Sequence, residues 1–185
     1  MKQFMRALAA LAMFTLPIAT FTVFAADDYR QISWEALVPK GWDPAKEFKS
    51  LGLAELKDSD PKAMEALQKM KEMWDSAPTE PSLNGARIRI PGFAIPLEKK
   101  GDKVTEFLVV PYFGACIHSP PPPANQIIHA ISKKPRAGMK IMDPVWVSGT
   151  MSLQHANTSW GTAGYRLSVE LVAPYEQQQK KGPQK

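Results

Sequence analysis

The chain carries one cysteine and three histidines in 185 residues. The cysteine stands two positions before a histidine in GACIHSPPPPANQ, the stretch from Gly114 to Gln126. A thiolate and an imidazole, Cys116 and His118, suit zinc or copper, and ligand softness alone does not choose between the two metals. The same pair admits two other readings. His118 could lower the thiol pKa and make Cys116 a nucleophile; or Cys116 could be a small buried hydrophobe, with His118 satisfying a loop carbonyl. If the stretch stays extended, side chains two residues apart point to one side and the thiol and imidazole share a site. A closed four-ligand zinc site would need His129 and His155 to converge on Cys116 and His118, whereas an open site would be completed by Glu106 or Met151. Thiol catalysis has the least support, because no second cysteine can resolve a disulfide and no orienting Asp or Asn stands at a motif distance. No enzyme is expected.

The four prolines that follow, Pro120 to Pro123, predict a polyproline II rod rising roughly 3 Å per residue. Such a rod is ordered before anything binds it, so little entropy is lost on recognition. Pro120 biases Ser119 toward an extended backbone, and Asn125 and Gln126 are placed to bond the rod's carbonyls or to close the turn. A partner-docking module, with Pro120, Pro121, Pro122, Pro123, Asn125 and Gln126 as the recognised surface and no metal, is therefore the alternative to a metal site.

Five alternating segments must position this loop. ARIRIPGFAIPLE sets Ile88 and Ile90 against Arg87 and Arg89, and Pro91 and Gly92 predict a bend or bulge. VTEFLVVPY, NQIIHAIS, PVWVSGTMSL and GYRLSVELVAPY supply four more strands, the last with Tyr165, Leu167, Val169 and Leu171 on one face. Five strands with a bent first member predict a mainly β fold, an OB-like five-stranded antiparallel barrel, with a small two-sheet sandwich as the alternative. The helix usual between the third and fourth strands of that fold would have to fit within KKPRAGMKIMD. The clear helix lies earlier, in DSDPKAMEALQKMKEMWDSAP: Asp60 caps it, Pro61 suits its first position, and Ala63, Ala66, Leu67, Met70 and Trp74 form a packing stripe, with Glu65 and Lys69 pairing on the wet side. Trp34, Leu37 and Val38 share the face of a short turn that Pro39 ends.

The organisation that follows is a signal peptide over 1–25, a helical segment packing on the barrel over 26–83, the barrel over 84–175 and a disordered basic tail over 176–185. Lys2 and Arg6 precede an apolar run and a small-residue exit, the layout of a secretory signal, so the mature protein is expected in the periplasm without a transmembrane segment. The formal net charge is +5. Removing two cations with the signal, and three lysines and Glu176 with the tail, leaves 18 basic and 17 acidic residues. A body so balanced gives no support to nucleic-acid binding.

GACIHSPPPPANQ, together with PGFAIPLE, VTEFLVVPYFG, VWVSGTMS and GYRLSVELV, resembles a family of exported bacterial proteins catalogued only as a domain of unknown function. The resemblance runs from Trp34 to Pro174. Members are often encoded beside an ABC-type permease and its ATPase in operons that look zinc-responsive. The resemblance implies a periplasmic accessory role near metal acquisition or envelope transport, with an envelope protein or ABC-type permease as partner. Its signature positions here are Gly114, Cys116, His118, Pro120 to Pro123, Asn125 and Gln126, with His129 outside them. It brings no established activity to carry over.

Overall fold

Closure of the sheet explains most of the architecture. The computed structural model describes residues 29–43, 46, 49, 61–117 and 121–175. The expected signal peptide, the Asp60 cap, His118, Pro120 and the basic tail lie outside the described residues. Six strands are present: β1 (Arg30–Gln31), β2 (Arg87–Lys100), β3 (Lys103–Val110), β4 (Ile128–Ala137), β5 (Asp143–Thr158) and β6 (Gly161–Pro174). The hydrogen-bonded order is β1-β2-β3-β4-β6-β5, and β5 pairs back onto β2. Five strands thus close a barrel, while β1 adds two residues in parallel to the outer edge of β2.

The ring is mixed rather than wholly antiparallel. Its β4–β6 pair is parallel, Ile128 opposite Tyr165 through Ser132 opposite Val169. A closed ring with an odd number of strands cannot alternate direction throughout, so one parallel pair is unavoidable. It falls where β6, tied to β5 by a tight hairpin, inserts between β5 and β4. The strands are strongly sheared. Following paired residues around the ring leads from Leu153 to Tyr165, Ile128, Val109, Ala94 and then Asp143, ten residues from the start on β5.

β2 serves two neighbours without the bulge expected at Pro91 and Gly92: its pairing with β5 runs through both in unbroken register, and its register shifts fall between Pro96 and Lys99. Its first half pairs with β5 and its second with β3, the two overlapping at Phe93 and Ala94. A side chain at Gly92 would lie 2.6 Å from Val109 Cγ1 and 2.8 Å from the Val110 carbonyl oxygen, so only glycine allows this approach.

Alternation places Ile88, Ile90, Phe107, Val109, Val147, Met151, Tyr165 and Leu167 inside, while Arg87 and Arg89 face out. Leu171 departs from its expected place and is 43% exposed. Ser148 pairs with Leu171 but Gly149 pairs with Val169, so Glu170 is an extra residue on β6. That bulge reverses the phase, and Val172 enters the core instead.

The segment KKPRAGMKIMD forms no helix. It continues β4 to Ala137 and then turns. Helix α1 (Pro61–Asp75) buries Ala63 and Ala66, while Leu67 of the expected stripe is 44% exposed. Lys69 and Glu65 pair at 2.8 Å as their spacing requires. A 3-10 turn, Trp34–Leu37, follows β1; Trp34 Nε1 donates to the Pro91 carbonyl at 2.7 Å and Leu37 is fully buried. The Tyr165 hydroxyl, inside the barrel, donates to the Leu37 carbonyl at 2.6 Å and accepts from the Glu80 amide at 2.6 Å. One phenol therefore fastens both N-terminal connections to β6.

Candidate functional site

The loop between β3 and β4 turns as soon as β3 ends, so the expected extended geometry does not hold. The Ala115 amide donates to the Tyr112 carbonyl and the Ile117 amide to the Gly114 carbonyl, at 3.4 and 3.2 Å. Gly114 and Cys116 both have positive φ, 85° and 65°. For an L-residue the left-handed region costs about 1–2 kcal/mol, which here is offset by burial of the adjoining residues. Ala115 is sealed in a second apolar cluster with Ile95, Leu108, Val110, Ile127 and Met142, formed where the loop folds over the outer face of β2 and β3. The Gly114 amide points at Met142 Sδ, 3.4 Å away.

Cys116 is half-buried, and burial pushes its thiol up to about 11. A thiol so placed is protonated at neutral pH and a weak nucleophile, which removes the main attraction of the thiol-chemistry reading.

The proline rod is seated rather than projecting. Pro121 is exposed, Pro122 is buried, and Pro123 has φ −54° and ψ 152°, the polyproline region. Its end is tied down by the two residues expected to close the turn, although the carbonyls they bond are distant ones. Asn125, wholly buried, donates to the Pro78 carbonyl at 2.9 Å. Gln126 donates to the Trp34 carbonyl at 3.0 Å. The other face of the rod rests on the β5–β6 hairpin at Gly161, where φ is +135° and a side chain would lie 2.9 Å from Pro121 Cβ.

These supports create a cleft of about 550 Å³ between α1, the rod and the hairpin tip. Cys116, Pro121 and Pro122 enter it from the loop, Met70 and Trp74 from the helix, and Trp160 from the hairpin. Its lining is mainly apolar and aromatic, the character of ligand and side-chain pockets. Met70 and Trp74 read in sequence as packing residues and Trp160 as a turn residue. The available signal was a tryptophan in the two-residue tip between Thr158 and Gly161, where turn chemistry favours small polar residues.

The other candidate ligands lie elsewhere. His129 is buried on β4 with Nε2 3.1 Å from Glu106 Oε2, and both line a separate cavity of about 280 Å³ with Glu98. His129 Nδ1 is buried without a hydrogen bond among the described residues. His155 is exposed on β5, and Met151 is fully buried inside the barrel. Among the described residues no three His, Cys, Asp or Glu side chains are grouped to hold a metal ion. The sulfur donors on the Cys116 cleft are its thiol and the Met70 thioether, and Asp75 adds a carboxylate that is paired with Lys71.

Residues 34–174 match the family model described as "Protein of unknown function (DUF3299)". The chain belongs to the DUF3299 family. A DUF3299 family protein from Pseudomonas aeruginosa PAO1, known from a crystal structure, is 33% identical; the match covers 80% of this chain and 97% of that one, with a TM-score of 0.62. No curated protein matches. The DUF3299 match spans the barrel, the proline loop and α1 together, so all three walls of the cleft fall within the family's extent.

Proposed function

We propose that this is an exported periplasmic accessory protein that works by docking a partner, with the Cys116 cleft as the seat of recognition. One observation carries the reading: the proline loop, α1 and the hairpin tip converge on one cleft of about 550 Å³ with Trp74, Trp160, Pro121 and Pro122 in its walls. Rigid proline and tryptophan surfaces lose little conformational entropy when covered, so an apolar segment of an envelope protein, such as the permease of an ABC-type system, suits this site. The rod then serves as a prebuilt wall. Replacing Trp160 and the exposed Pro121 with alanine should abolish co-purification with the envelope partner and leave the thermal midpoint within a few degrees of wild type. Undiminished co-purification of that variant would reject the reading.

A soft metal ion, zinc or copper, is a second occupant favoured by a specific feature. Cys116 and Met70 bring two sulfur-bearing side chains to the same cleft, and His118 follows two residues after the cysteine. Elemental analysis after dialysis should then find metal in the wild type and less in a Cys116→Ser, His118→Ala double variant. Equal content in both would dismiss a metal at this site.

A further inference from the structure

Beyond the points where β5 and β6 leave them, the end of β2, the start of β3 and the end of β4 pair only with one another. The β2–β5 pairing stops at Ala94 opposite Asp143, and β4 parts from β6 after Ser132. Past these points Lys100 faces Lys103, and Lys103 faces Ala137 on β4. The register between β3 and β4 jumps from Glu106 opposite Ile131 to Val104 opposite Arg136, so β4 carries extra residues here. The Ser132 hydroxyl bonds the Lys134 carbonyl at 2.7 Å within that bulge. The result is a three-stranded finger that extends from the barrel.

Its charge is one-sided. Lys99, Lys100, Lys103, Lys133, Lys134, Arg136 and Lys140 all lie on the finger or its following turn, and all are exposed. The segments 98–103 and 132–141 hold these seven cations against Glu98 and Asp102, a net +5 that equals the whole chain's. Taking seven from 23 basic residues and two from 18 acidic ones leaves sixteen of each elsewhere. Ion pairs do neutralise cations in other regions, as at Lys69–Glu65, Lys71–Asp75 and Arg87–Glu170. None of the seven finger cations joins an ion pair among the described residues.

We infer that this finger is an electrostatic docking surface for an anionic phospholipid membrane. Three features favour a lipid surface over a nucleic acid. Six of the seven cations are lysines, which act as point charges on a diffuse surface rather than as bidentate readers of phosphate or base. The finger segments contain no aromatic residue on which a base could stack. Ile141, next to Lys140, is 49% exposed, an apolar group beside cations as at membrane interfaces.

The test is retention of the full chain on sedimenting vesicles of phosphatidylcholine with or without phosphatidylglycerol. The N-terminal stretch, with Lys2 and Arg6 ahead of its apolar run, is common to every protein compared, so the change in the ratio of anionic to neutral retention between variants isolates the finger. That ratio should be about tenfold or more for the wild type at low salt and should fall toward unity in 0.5 M NaCl. A Lys100→Glu, Lys133→Glu, Lys134→Glu variant should lose about tenfold, and the corresponding glutamine variant should lose less. Lys40→Glu, Lys46→Glu, Lys69→Glu, with the same change in net charge, should leave the ratio unchanged. Because the substituted finger residues are exposed, melting curves should show all variants folded. Equal retention on neutral and anionic vesicles, an equal loss in the control variant, or tighter binding to single-stranded DNA than to vesicles at the same salt would overturn the inference.

Discussion

Tyr165 and Leu37 are 128 residues apart in sequence and 2.6 Å apart at the phenol hydroxyl and backbone carbonyl. The same hydroxyl accepts from the Glu80 amide, so it satisfies one buried acceptor and one donor at once. Tyr165→Phe would keep the ring's packing and orphan both groups, at about 1–3 kcal/mol. Chemical denaturation should show that loss. The pH dependence has a definite sign. Burial pushes the phenol up to about 12, above its ordinary value near 10, so its contribution is complete below about pH 10 and disappears as pH rises toward 12. An alkaline titration of stability should show this fall in the wild type and lack it in Tyr165→Phe.

Gly161 sets the spacing between the hairpin and the proline rod. Gly161→Ala would add a methyl group 2.9 Å from Pro121 Cβ and 3.2 Å from Ile127 Cδ1, on a backbone with φ of +135°. Overpacking and strain together should cost about 1–3 kcal/mol. Trp160 fluorescence should also shift as the rod is displaced from the cleft.

Cys116 alkylation reports its environment. With the thiol pushed up to about 11 by burial, reaction with iodoacetamide should be slow at pH 8 and keep accelerating to about pH 11, while a denatured control reaches its plateau earlier. A plateau near pH 7 would contradict the geometry of this loop.

The His129–Glu106 contact holds the outer face of β3 to β4. Glu106→Ala removes the partner 3.1 Å from a buried Nε2, and the destabilisation should be about 1–3 kcal/mol. Urea unfolding would measure it, and Glu106→Gln should recover most of the loss by keeping a hydrogen-bonding partner for the imidazole.

Local pattern was enough for Ile88 and Ile90, because alternation acts within a few residues, whereas the irregularity expected at Pro91 and Gly92 falls between Pro96 and Lys99, where pairing with β3 sets it. Leu171 broke its pattern because a bulge one residue earlier reversed the faces, and a bulge depends on the opposing strand. Asn125 and Gln126 were recognisable as turn-closing residues, but their acceptors, the Pro78 and Trp34 carbonyls, lie 47 and 92 residues away. The Cys116 turn ran against expectation because a left-handed cysteine is held by its packed neighbours rather than by its own preference. Whole-chain charge concealed the basic finger: KKGDK and KKPR look like ordinary solvated turns until strand pairing sets them side by side.

The insertion of β6 between β4 and β5 also orders assembly in time. β2 can pair with β3 and β5, and β3 with β4, but β4 and β5 each keep an open edge until Gly161–Pro174 is available. Only the last strand can seal the ring and bring the phenol of Tyr165 to Leu37. Chains cut short before Gly161 are therefore unclosed sheets exposed to proteases and to pairing with one another.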